Sequence, residues 1–230
     1  DQAPNFVRPK HIDPSLGKGF DYDVTNSEVI LTRMNARDGK IVLPDGMTYE
    51  LLVLPDIEDA NPKVLEKIME LVRDGATVVG PKPTRSNGLT DYPHLDEKVK
   101  LLADELWGPC NGKEIKENNW GKGKIIRGKS LKQILEERGI GPDFTFKGKS
   151  DSTDLDYIHR STDKEEIYFV SNKKMHWAEA ECEFRVKNKI PELWMPETGE
   201  IVKELVYGSC NQTTKVLLKL PPAGSVFVVF

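Results

Sequence analysis

Three cysteines in 230 residues, Cys110, Cys182 and Cys210, are too few and too scattered to carry this chain's stability on covalent links. None sits in a Cys-x-x-Cys pair, so the spacing offers no zinc site, and an odd count leaves no complete disulfide framework. They are read as packing or loop residues. Aromatic residues are 8% of the chain, and no apolar run approaches the ~20 residues that cross a bilayer. The first ten residues, DQAPNFVRPK, lack the apolar character of a signal peptide. No membrane partner is expected. A basic excess is absent as well: Lys and Arg number 33 against 37 Asp and Glu, the net charge is -4, and the signs are mixed along the chain. No nucleic-acid partner is expected either. The chain begins at Asp1 and not at methionine, which fits a processed or excised piece of a longer polypeptide.

What the sequence does have is a stretch, ELLVLPDIEDANPKVLEKIMELVRDGATVVGPKP at 50–83, that spells strand, helix, strand. The apolar run 51–54 suits a strand buried on both faces, and Asn61 offers a helix cap with Pro62 at the first helical position. Val64, Leu65, Ile68, Leu71 and Val72 recur at helical spacing, Gly75 follows the last turn, and 76–79 reads as the next strand. A parallel, helix-covered sheet follows, with any ligand expected at the strands' carboxyl ends, near 55–60 and 80–87. Around this unit lie helices expected at 27–34, 95–106 and 131–138, the last with Ser130 and Gln133 as a capping box, and strands expected at 40–43 and 123–127. Residues 111–123 read as a polar loop.

Past residue 145 the helical stripes stop. Short alternating runs replace them: a hairpin of 157–159 with 166–171, a strand with Ala180, Cys182, Phe184 and Val186 on one face, and strand pairs around the turns at 196–199 and 221–224. The expected architecture is an N-terminal extension at 1–21, an α/β domain at 22–145, and an antiparallel β-sandwich-like domain at 146–230. Nothing in the sequence after Phe230 shows how the last edge of that sandwich is closed.

Candidate chemistry is sparse. Asp56, Glu58 and Asp59 cluster after a strand end with Asp91 in a second loop, but glycoside hydrolysis needs two carboxyl groups roughly 5 to 10 Å apart around a sugar pocket. Acids ahead of a helix also serve its amino end electrostatically. Trp120, in the expected loop, and Trp177, beside His176, are candidate platforms for sugar rings, whereas Trp107 and Trp194 fall in apolar patterns and are assigned to the core. His159 and Arg160 close a strand, where such a pair could bind a sugar or carboxylate or be satisfied by local acids such as Asp156 or Asp163. Lys82 and Arg85 make the loop after the second strand basic. No catalytic residue, metal ligand set or cofactor is assigned.

Longer strings carry a resemblance. TNSEVILTRMNARDGKIVLPDGMTYELLVLPD, LVRDGATVVGPKPTRSNGLTDYP, KLLADELWG, IHRSTDKEEIYFVSN and FRVKNKIPELWMPETGEI resemble the C-terminal half of the α-L-rhamnosidase-like proteins of glycoside hydrolase family 106, from about residue 22 to 230. The resemblance implies a secreted or periplasmic parent and an accessory α/β domain similar to class I glutamine amidotransferases, followed by β-sandwich material. It also implies a catalytic (β/α) barrel upstream as the partner, holding the catalytic carboxylates and the calcium site, so no catalytic role carries over to a position here. An amidotransferase site of the chain's own would need a cysteine on a glycine-flanked turn. The turn after the second strand reads Gly80-Pro81-Lys82-Pro83 and lacks one.

Overall fold

The computed structural model describes residues 16, 18–88, 91–203, 206–210 and 212–230. The N-terminal extension expected at 1–21 therefore falls largely outside the described residues. Two compact units emerge, one containing Tyr22–Glu137 and the other Arg138–Phe230 with the short stretch before Tyr22.

The first unit begins with helix α1 (Ser27–Thr32), whose cap Asn26 accepts from Val29 N at 3.0 Å. Strands β1 (Asn35–Arg37), β2 (Lys40–Val42) and β3 (Thr48–Tyr49) then form a small antiparallel sheet. Strand β4 (Leu52–Val53) and a two-residue strand β5 (Asp59–Ala60) lead into helix α2 (Pro62–Arg73). Asn61 Oδ1 accepts from Lys63 N at 2.9 Å, and Pro62 occupies the first turn, where its missing N–H costs nothing. Leu65, Ile68, Leu71 and Val72 are buried with Leu52, Val78 and Ile125 in one cluster, while Val64 is half-buried at its margin. Strands β6 (Thr77–Val79) and β7 (Arg85–Ser86), helix α3 (His94–Trp107), strands β8 (Glu117–Trp120) and β9 (Gly123–Ile126), and helix α4 (Leu131–Glu137) complete the unit.

The sheet order β4-β6-β9-β8 corrects the expectation in three ways. Parallel pairing joins β4 to β6 and β6 to β9, but β8 runs antiparallel to β9, so the sheet is mixed. Strand β4 is an edge, with Leu52 buried and Val53 39% exposed, and only β6 is buried at every residue. The stretch 111–123 is not all loop: 117–120 pairs as β8, and Gly121 makes the return. A Cβ on Gly121 would lie 2.5 Å from Arg73 Cα, and its φ is 61°, so side chain and backbone both demand glycine. At α4, Ser130 Oγ accepts from Gln133 N at 3.2 Å, but Gln133 turns to Glu137 and leaves the capping box half made.

The second unit is antiparallel throughout its described strands. One sheet has the order β10-β13-β17-β16, built from β10 (Phe144–Gly148), β13 (Ala178–Phe184), β16 (Tyr207–Cys210) and β17 (Thr213–Leu220). The other, β11-β12-β18-β14-β15, contains β11 (Leu155–Ser161), β12 (Glu166–Asn172), β14 (Glu192–Trp194), β15 (Ile201–Val202) and β18 (Ser225–Val229). Both sheets send side chains into one cluster, including Phe144, Ala180, Cys182, Phe184 and Leu218 from the first and Tyr168, Val170, Val226 and Val228 from the second. Strand β18 lies between β12 and β14, so the last strand is an interior one, and the runs flanking 221–224 belong to different sheets.

Candidate functional site

Strand alternation decides what His159 and Arg160 can do. On β11, Leu155, Tyr157 and His159 share the inward face and Arg160 takes the outward one, so the two cannot act as a pair on one ligand. Arg160 Nη1 instead donates to the His159 carbonyl at 2.9 Å. His159 is one-fifth exposed and lies between two carboxylates: Nδ1 is 2.9 Å from Asp143 Oδ2 and Nε2 is 3.0 Å from Glu166 Oε2. Carboxylates only accept when ionised, so both contacts are satisfied when the ring carries an N–H on each nitrogen. Its face lies 3.9 Å from the Tyr168 ring, nearly parallel at 8°.

Asp143 is the hub. It precedes β10 in one sheet, is 8% exposed, and accepts from Tyr168 OH at 3.0 Å and from Arg185 Nη2 at 3.1 Å, in addition to His159. Burial pushes its carboxyl pKa up, but the hydrogen bond and charge of His159 and the guanidinium of Arg185 outweigh that and hold it below the ordinary carboxylate value. Glu166 accepts from the Ser161 hydroxyl and lies 3.7 Å from Lys189 Nζ. Burial and the neighbouring Asp143 charge raise the Tyr168 phenol, which stays protonated and donating. These groups bind the beginning of β10 and the end of β13 to the β11–β12 hairpin, joining the two sheets at one end through charge-assisted hydrogen bonds.

Asp143, Glu166, Tyr168 and Arg185 escaped the sequence reading. Asp156, named there as a partner for the histidine, faces Lys173 at 3.6 Å instead. A usable signal existed: the alternation that buries Leu155 and Tyr157 also turns His159 inward, and a buried histidine demands partners.

The other candidates scatter. Trp120 is not in a loop; it sits on β8, half-buried against the first unit's core. Trp177 does project, 61% exposed, with Lys219 Nζ 5.6 Å from the ring centroid, and His176 beside it lines a shallow hollow with Lys18, Asp151, Asp154 and Lys174. Trp107 is fully buried as expected, and its indole N–H donates to Gly80 O at 3.3 Å. Trp194 is not core; it is 38% exposed. Two of the candidate carboxylates of the first unit are engaged locally, Asp59 by Arg85 and Glu58 by the Thr84 hydroxyl at 3.4 Å. Lys82 pairs with Asp104 at 2.7 Å, which leaves the basic loop neutralised. Among the described residues no group of three or more His, Cys, Asp or Glu side chains is arranged to hold a metal ion. Cys110 and Cys182 are buried free thiols, and burial pushes the Cys182 pKa up to about 12, the wrong direction for a nucleophile.

Comparison with known proteins places this geometry. A protein of Formosa agariphila, provisionally named a beta-glucuronidase, is 38% identical over 213 residues, which is 92% of this chain and 17% of that protein. The rhamnosidase of Novosphingobium sp. PP1Y superposes with a TM-score of 0.80 at 32% identity, over 91% of this chain and 19% of that one. The chain thus spans less than a fifth of the length of either relative. The family model described as alpha-L-rhamnosidase matches residues 3–208, and the chain belongs to that family, glycoside hydrolase family 106.

Proposed function

We propose that this chain is a non-catalytic structural module of an α-L-rhamnosidase-like glycoside hydrolase acting on rhamnose-containing glycans. In this reading 22–145 is a flavodoxin-like domain related to class I amidotransferases, 146–230 is a β-sandwich, and 1–21 is an extension. The catalytic barrel of a secreted or periplasmic parent is the partner. One observation carries the proposal. The most developed acid–base cluster, Asp143–His159–Glu166, has its oxygens engaged by Arg185, Tyr168, Ser161 and Lys189, so neither carboxylate is free to protonate a leaving group or activate water. The test is release of nitrophenol from an aryl α-L-rhamnoside by the pure chain. None is expected, and release that disappears in Asp56→Ala, Asp91→Ala or Glu166→Gln would overturn the reading.

A second reading, glycan binding without catalysis, is favoured by Trp177 alone, because an exposed indole face stacks on the apolar face of a pyranose. Titration with rhamnose oligosaccharides, followed by Trp fluorescence, separates the two. A saturating change lost in Trp177→Ala means binding, and a flat response means scaffold.

A further inference from the structure

Cross-strand register lines up five large side chains on the outer face of the second unit's five-stranded sheet. Ile158 stands opposite Phe169, Phe169 opposite Phe227, Phe227 opposite Trp194, and Trp194 opposite Ile201. Each of the five strands contributes one member, so at a strand spacing of about 4.8 Å the row runs roughly 19 Å across the whole sheet. Ile158, Trp194 and Ile201 are 49%, 38% and 45% exposed, and the Phe169 and Phe227 rings between them are half-buried with centroids 4.9 Å apart. Isolated exposed apolar residues are ordinary on any protein, whereas a contiguous row is not.

The other sheet's outer face shows what solvent selects in the same unit. There Lys215 faces Glu181 at 3.0 Å and Glu183 at 3.8 Å, and Lys149 contacts Glu179, a ladder of paired charges. On that face Leu217, 56% exposed opposite Glu181, interrupts the charges, whereas on the five-stranded sheet large apolar side chains follow one another across every strand.

We propose that the Ile158–Phe169–Phe227–Trp194–Ile201 row is the docking surface for another folded domain of the same longer polypeptide, one that presents an apolar face. The proposal rests on reading the chain as an interdomain module. The chain covers 17% and 19% of its two long relatives, so such a polypeptide has about four-fifths of its length from which to supply a cover. The chemistry of the row fits a protein better than a sugar. Its ends are branched aliphatics, not flat rings, and the Trp194 indole N–H is already taken by Glu192 Oε2 at 3.0 Å, leaving apolar surface to offer.

The test places a cysteine at either end of the row, Ile158→Cys or Ile201→Cys, in a Cys210→Ser background, Cys110 and Cys182 being buried. A soluble maleimide then labels the isolated chain and the full-length polypeptide in which the chain is encoded. Labelling is expected to be at least tenfold slower in the full-length polypeptide, while Lys147→Cys on the charged face labels at similar rates in both. Equal rates at positions 158 and 201 in the two contexts would overturn the proposal. So would protection that appears in the isolated chain as its concentration rises, which would mean a second copy, or on adding rhamnose oligosaccharide, which would mean a glycan. Labelling does not depend on hydrolysis, so nitrophenol release with full protection would defeat the non-catalytic reading and leave the docking surface standing.

Discussion

Asp143 shows how much one side chain can decide. Replacing it with Asn keeps the shape but removes the charge that His159, Tyr168 and Arg185 are arranged around. Arg185 reaches solvent and recovers part of the loss, so the expected cost of Asp143→Asn is roughly 2 to 3 kcal/mol, read as a lower urea midpoint. Because the Asp143 pKa is depressed on folding, its contribution is present in full above the unfolded carboxylate value near ~3.9 and is lost as pH falls through the lower folded value. The stability gap between the wild-type chain and Asp143→Asn should therefore be constant from neutral pH to about 5 and shrink below about 4. A gap that widens on acidification would show that the carboxyl is not held ionised by its partners.

At the scale of the element, helix α2 is the clearest case of sequence dictating structure, because cap, period and stop all agree. Ile68 lies in the middle of its buried stripe at 4% exposure. Ile68→Ala is expected to cost about 2 to 5 kcal/mol through lost transfer energy and a cavity. Lys67 makes a poor control, since its side chain is 14% exposed and pairs with Glu70 at 2.8 Å; Lys63, exposed in the first turn, is the better one, and Lys63→Ala should leave the melting temperature nearly unchanged. Equal shifts from Ile68→Ala and Lys63→Ala would mean the helix is not docked on β6 and β9. Strands were harder to read. The polar run of β8, ENNW, has no apolar alternation to announce a strand, and it forms because β9 supplies the other half of an antiparallel pair. Asn118 then serves packing through its amide, which donates to Leu106 O at 2.9 Å.

Across the molecule, the two units keep separate sets of buried side chains: the first gathers around Leu65, Val78 and Trp107, the second around Tyr168, Phe184 and Val226, with no residue in common. Loss of amide-exchange protection in Ile68→Ala should accordingly be confined to Tyr22–Glu137, and its spread into β12, β13 and β18 would show that the units unfold as one. The sequence by itself determined the local parts, since a 3.6-residue stripe with a cap, or a two-residue alternation, needs only near neighbours to declare itself. The long ordered strings pointed to the family too, and the family model matches residues 3–208. Tertiary structure alone decided which strands became edges, that β18 would be an interior strand, that Asp143 would meet His159 sixteen residues away and Arg185 forty-two away, and that five apolar side chains would form one row. The physical reason is shared by all four. A side chain's face is fixed by its own strand, but its neighbours are fixed by register between strands far apart in sequence, and register is set by the closing of the whole core.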